Sequence, residues 1–181
     1  ASTSDKFTDQ GMEPTGIVAL LLDINPAYFR VEFKDFSADS VYGSSLQVGK
    51  SAKSLFDHPA FIISVADINL AGEEIIRGLL DAAGENVSVI GGMAGESQQF
   101  TGAVFTNHAK SNCGLVTLIL DEDKIDVKGI AVSGWKPIGT EKRITKCEGT
   151  WVHTIDHEPA MDVINKYLGK DYQVLASFGH I

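Results

Sequence analysis

The chain has 181 residues, 44% of them hydrophobic and 22% charged, and carries a net charge of −9. A chain of that length buries a core without disulfide or metal staples, and its acidity repels a nucleic-acid partner, with no run of Lys and Arg to override it. The longest apolar runs, such as GIVALLL, are too short to cross a bilayer, so no membrane partner is expected.

Residues 1–13 are polar and read as a lead-in. Gly16 to Leu22 is continuously apolar and predicts a buried strand. Asn25-Pro26 is a turn signal. Within Tyr28 to Phe36, Phe29, Val31 and Phe33 alternate with Arg30, Glu32 and Lys34, the period of a strand. Residues 44–57 place Val48, Ala52, Leu55 and Phe56 on one helix face. Phe61 to Val65 predicts a short strand. Ala71 to Ala83 gives the strongest helix, with Ile75, Ile76, Leu79 and Leu80 as its stripe and Gly84 as its stop. Asn69 suits its N-cap, and Glu73 and Glu74 sit at the favourable end of the helix dipole. Val87 to Ile90 is a strand that runs into a glycine loop. Gly102 to Thr106, Leu115 to Leu120 and Ile125 to Val132 predict three more strands with short polar connections, an antiparallel meander. Residues 144–155 predict a strand pair, and Pro159 to Leu168 a helix closed by Gly169. The class is α+β: mixed, largely antiparallel sheets with a few packed helices.

One internal similarity stands out. GIVALLLD (residues 16–23) resembles GLVTLILD (residues 114–121), and each precedes a turn and an alternating segment. The strand–turn–strand unit is either two ordinary hairpins or a duplicated element.

Three stretches offer binding chemistry. Gly91, Gly92, Ala94, Gly95 and Glu96 form a loop after a strand; the glycines are wrongly spaced for a dinucleotide fingerprint or a P-loop. Their backbone N–H groups suit a small anion, or the glycines serve a tight turn. Asp67 and Asn69 lie between a strand and the best helix, where they face a ligand or simply cap the helix. Trp135, in SGWKPIG, lids a pocket or packs at a domain join. The five histidines have no metal-binding helix spacing. Cys113 and Cys147 match no zinc or redox spacing and are expected as thiols in a reducing compartment. No nucleophile elbow, Cys–His signature or meaningful carboxylate pair is present, so no catalytic residue is assigned and no enzyme is expected.

VIGGMAGE, GLVTLIL, GWKPIG and ITKCEGTWVHTIDHEPAMDVINKYLG, in that order, resemble the FIST family (F-box and intracellular signal transduction proteins) over about residues 15–169. The GGxAG-type and GWxPxG-type stretches belong to that family's N-terminal domain. Ile144, Thr145, Gly149, Val152, Asp156, Pro159 and Ala160 resemble the opening of its C-terminal domain. The resemblance therefore implies an N-terminal-like domain over residues 1–140 and the beginning of a C-terminal-like domain over 141–181. Family members usually carry an earlier strand, helix and G-C-S-x-A-G-E loop, and nothing before Gly16 looks like it. The resemblance implies a chain that lacks that element and stops inside the C-terminal domain, with the missing loop as counterpart of Gly91–Glu96.

The resemblance further implies an intracellular, cytoplasmic sensory module. Its ligand would be an amino acid or similar small molecule, and its output a histidine kinase, chemoreceptor or cyclic-dinucleotide enzyme. A zwitterion would set its carboxylate on the N–H groups of Gly91 to Gly95 and its ammonium on Asp67 or Glu96. The alternatives are a haem-binding nitric-oxide sensor, which needs an axial ligand that no single histidine here supplies by position, and a protein-interaction module without a ligand.

Overall fold

The computed structural model describes residues 1–3, 6–8, 11–13, 16–36, 40–66, 72–95, 102–132, 134, 136–149 and 151–168. The chain divides into two compact units, residues 1–130 and 131–181.

In the first unit, β1 (Lys6–Thr8) and β2 (Gly11–Glu13) form a small antiparallel ribbon. The main elements follow as β3 (Phe29–Asp35), α1 (Val41–Leu55), β4 (Pro59–Ala66), α2 (Gly72–Ala83) and β5 (Val89–Met93). A second ribbon, β6 (Val104–Phe105) with β7 (Lys110–Ser111), precedes β8 (Gly114–Asp121). The main sheet has the order β3-β8-β4-β5. β8 runs antiparallel to both its neighbours, and β4 and β5 are parallel, joined through α2. The structure is α+β, as the sequence predicts.

α1 starts at Val41, three residues before the apolar period begins, because the Ser40 hydroxyl caps it by accepting from the Gly43 N–H at 3.0 Å. α2 stops where expected. Gly84 has φ +110°, and its N–H donates to the Leu80 carbonyl at 2.8 Å. The two helices touch at glycines: a Cβ on Gly49 would meet Ala82 and the Leu79 backbone, and one on Gly78 would meet Tyr42 and Ser45. Both helices lie on one face of the sheet. Val48, Ala52, Ile75 and Leu79 pack there on Phe61, Ile63, Val65, Leu115 and Ile119, all of them buried.

β3 alternates as predicted, but its polar set faces the helices. Glu32 accepts a hydrogen bond from the Ser51 hydroxyl of α1, and Lys34 donates to Gln47 at 3.2 Å. Its apolar set lies on the other face of the sheet. There Phe33, Val116, Ala66, Ala94 and Val104 form a second, smaller cluster at one end. Away from that cluster the register sets Val31 beside Leu118 and Leu118 beside Ile62, a row in which Val31 is 47% exposed and Ile62 38%.

Three expectations are overturned. Residues 17–25 have no regular structure, and the run expected as a buried strand is exposed, with Ile17 at 95% and Leu21 at 93%. A strand needs a ladder partner and cover for its apolar faces, and residues 17–22 find neither here. Residues 125–132 hold no strand either. β8 is a central strand with both edges taken by β3 and β4, so no edge of it is open to a following meander strand. Of the strand expected over Gly102–Thr106, only Val104–Phe105 forms. Of the four segments in the internal similarity, β3 and β8 are strands, and they pair with each other.

The second unit has β9 (Ile144–Glu148), β10 (Trp151–Ile155), β11 (Glu158–Pro159) and α3 (Ala160–Leu168). The hairpin from β10 to β11 turns through Asp156 (φ 49°) and His157 (φ 67°), two non-glycine residues in left-handed conformation. Hydrogen bonds hold that turn. The Asp156 carboxylate accepts from the Arg143 N–H and from Lys142 Nζ, both at 2.9 Å, and the His157 N–H donates to Thr145 Oγ1 at 2.9 Å. These donors, the Arg143 amide first, lower the Asp156 pKa below the ordinary carboxylate value. Gly149 (φ 56°) closes the β9–β10 turn. Thr145, Gly149 and Asp156, prominent in the sequence pattern, thus each have a structural role in one hairpin system.

Candidate functional site

β4 and β5 leave the sheet side by side, and the helix between them returns over their ends. A cleft of about 230 Å³ opens there at the β5 edge. Ile63 and Val65 of β4, Ile75 and Ile76 of α2, and Val89, Ile90 and Met93 of β5 form most of its walls; Gly72, Gly91 and Gly92 complete them with bare backbone. Among the described residues no charged side chain lines it.

The glycines divide by cause. Gly91 has φ +149°, and a Cβ there would collide with the Ile63 carbonyl group across the strand pair. Backbone geometry alone requires it. Gly92 has no such requirement, since a Cβ on it meets no described residue within 4 Å, and the same holds for Gly72 on the α2 side. Two of the cleft's glycines are therefore open positions; by register Gly92 falls with Ile90 on the sheet face away from α2, so a side chain there would stand at the rim of the cleft.

The other residues of the predicted loop have different work. Ala94 is buried in the small second cluster, and its N–H donates to the Val65 carbonyl at 2.6 Å. The Gly95 N–H donates to the Ser2 carbonyl at 3.3 Å. Gly102 backs this loop, with no room for a Cβ against the Ala94 carbonyl. The ladder directs the Ala94 amide towards β4, so by strand alternation the amides of Gly91 and Met93 point to the free edge of β5. Of the described candidates, Gly91 and Gly92 line the cleft and Ala94 and Gly95 do not. Asp67, Asn69, Glu96 and Trp135 lie outside the described residues. Sequence reasoning missed the other eight lining residues, Gly72 and Met93 among them; the helix stripe marked Ile75 and Ile76 only as core.

The described histidines line no part of the cleft. His58 Nδ1 pairs with Asp123 at 2.9 Å, and that carboxylate raises the His58 pKa above its ordinary value. His153 approaches Glu148 at 3.7 Å, and His157 belongs to the hairpin turn. No group of three or more His, Cys, Asp or Glu able to hold a metal exists among the described residues. An aliphatic cleft of this volume, with no imidazole among its described lining residues, does not fit a haem. Cys113 is half-buried, Cys147 is exposed, and they form no disulfide with each other.

The fold and cleft define an α+β domain with a small apolar recess at a sheet edge. The family to which it belongs is shown by the profile of the FIST N domain, which matches residues 1–158; the chain is a member of that family of sensory signal-transduction domains. The match runs past residue 140 and ends just before α3. No curated protein matches the chain, and no solved structure does. Among the described residues no helix is long and apolar enough to cross a membrane.

Proposed function

We propose that this domain senses a small molecule of amino-acid size, aliphatic at one end, in the cleft beneath α2. The observation that carries the reading is the pair of glycines, Gly72 and Gly92, on the walls of an otherwise aliphatic recess, neither demanded by backbone conformation or by packing. The volume of about 230 Å³ lies below the range of drug-sized sites and suits a ligand of about ten heavy atoms. An aliphatic side chain would lie against Ile75, Ile76 and Val89. A carboxylate would meet the outward amides of Gly91 and Met93, a narrower donor set than the whole loop. An ammonium partner would have to come from Asp67 or Glu96, outside the described residues. The reading contains no catalytic step. Ligand occupancy would pass to a coupled output of the histidine-kinase, chemoreceptor or cyclic-dinucleotide-enzyme kind.

The test is calorimetric titration of single amino acids into the protein and into Gly92→Val. Leucine, isoleucine or valine is expected to bind, with affinity at least about tenfold weaker in the variant and with thermal stability unchanged, since the new side chain enters open space. Equal affinity in both proteins, or no binding of any amino acid to either, would overturn the reading.

A further inference from the structure

Resting on the sensing role proposed for the cleft, we infer that its preferred ligand is a short peptide in extended form. The peptide adds as a strand to the free edge of β5 and sets one aliphatic side chain beneath α2.

The hydrogen-bonding pattern of that edge points to a peptide. β5 ends the sheet order, and among the described residues no strand pairs with it on the side away from β4. A trans peptide unit directs its C=O and the following N–H to opposite sides. The Ala94 N–H donates to the Val65 carbonyl of β4, so the Met93 carbonyl faces outward. The Ser88 carbonyl accepts from the Phe61 N–H of β4, so the Val89 N–H faces outward too. The parallel ladder between these two points repeats the arrangement at Gly91. The edge thus presents the Gly91 N–H, Gly91 C=O, Met93 N–H and Met93 C=O in turn, partial charges of alternating sign. The carboxylate of a free amino acid takes up only the donors of this set and leaves the Gly91 carbonyl between them unmatched. A peptide backbone carries the complementary alternation, which is how extended chains add to an open sheet edge.

The position of the cleft supports the same ligand. Its wall takes in all of β5, with Val89, Gly91 and Met93 in the rows of β4 that face α2 and Ile90 and Gly92 on the opposite face. The recess therefore follows the strand edge. A residue paired antiparallel to Gly91 exchanges two hydrogen bonds with it and shares its face of the sheet. That face is the one of Ile63, on the side of Ile75 and Ile76. One residue of the peptide thus meets the edge through its backbone and the cleft through its side chain. β5 has five residues, roughly 17 Å of edge, enough for a peptide of about three to five residues. The net charge of −9 disfavours acidic peptides.

Calorimetric titration tests this with four probes: N-acetyl-Ala-Leu-Ala-amide, the same peptide N-methylated at leucine, the same peptide N-methylated at the second alanine, and free leucine. The unmethylated peptide is expected to bind at least about tenfold more tightly than leucine. Methylation at leucine removes the proton donated to the Gly91 carbonyl and should weaken binding at least about tenfold. Methylation at the following alanine, whose N–H faces away from β5, should leave the affinity unchanged. Hydrogen exchange in the presence of the unmethylated peptide should slow at the Gly91 and Met93 amides, the second through the acetyl carbonyl. Leucine binding as tightly as the peptide, or equal affinity for the two methylated peptides, would overturn the inference and leave the sensing role standing. Peptide binding that leaves the exchange of residues 89–93 unchanged would do the same. Binding of neither peptide nor amino acid would overturn both.

Discussion

On the helix side of the main sheet, Phe61, Leu115 and Ile119 are fully buried and Ile63 and Val65 nearly so; on the other side, Val31 and Ile62 in the same strands are 47% and 38% exposed. The residue types on the two sides hardly differ. On β3 the distribution is even inverted, with Glu32 and Lys34 towards α1 and Val31 away from it. What differs is cover. α1 and α2 dry one face; on the other, the cluster around Ala66, Ala94 and Val104 is dry at one end and the pair Ala60 and Leu120 at the other, and Val31 and Ile62 between them are not. Binary pattern says which residues avoid water, and the arrangement of neighbours decides which of them succeed.

Neighbouring residues of β4 allow the sharpest break of that comparison. Phe61→Ala, on the helix side, is expected to cost about 3–5 kcal/mol in chemical denaturation, through lost burial and a cavity. Ile62→Ala, one residue on and 38% exposed, should cost less than about 1 kcal/mol. Comparable losses at the two positions would mean that the second face is as dry as the first.

The two adjacent glycines of β5 give the next largest contrast. Gly91→Ala should destabilise by about 3 kcal/mol or more, because its Cβ meets the Ile63 carbonyl and its φ is one that L residues rarely adopt. Gly92→Val should change the thermal midpoint little and alter ligand binding instead. If Gly91→Ala were tolerated, the parallel β4–β5 pairing described here would be wrong.

Thr117 is a smaller probe of the helix-covered face. It is fully buried on β8 between Leu115 and Ile119, and its Oγ1 has no hydrogen-bond partner among the described residues. Thr117→Val keeps the shape and removes the orphaned hydroxyl, so denaturation should show a gain of about 1 kcal/mol. A loss would reveal a partner for the hydroxyl.

The smallest expected effect lies at the sheet end where β4 begins and β8 finishes. The hydrogen bond to Asp123 raises the folded-state His58 pKa. The pair therefore contributes its stability below the unfolded histidine value and loses it as pH rises through the raised value. Nuclear magnetic resonance titration should show the His58 pKa falling towards its ordinary value in Asp123→Asn. An unchanged titration would show that the contact is absent in solution. Being exposed, this pair should barely move the stability of either face.

Much of this architecture was legible in the sequence. The helix stripe of residues 75–80, its stop at Gly84, the alternation of Phe29–Lys34, and the strands at 61–65 and 115–120 all follow from period and end signals, which are local physics. The glycine loop was legible as a place of interest, and it does border the cleft. Its division of labour was not, because Gly91 is required by a carbonyl 28 residues away in sequence, and Ala94 by a cluster assembled from β4 and β6. The failures share a cause. GIVALLLD and GLVTLILD have nearly the same pattern, yet one is exposed irregular chain and the other the central strand of the sheet. Period cannot see whether a ladder partner and a covering layer exist.

The sequence by itself determined the α+β class, the identity of the helices and central strands, the family, and the absence of a nucleotide fingerprint at the glycine run, since each depends on residues close together in the chain. Only the tertiary structure decided that β8 enters between β3 and β4, that a cleft opens where α2 crosses the β5 edge, and that one face of the sheet is covered less fully than the other. Those outcomes depend on which segments pair and cover one another, β8 with β3 and β4 above all, and hydrophobic attraction, being non-directional, does not specify that in advance.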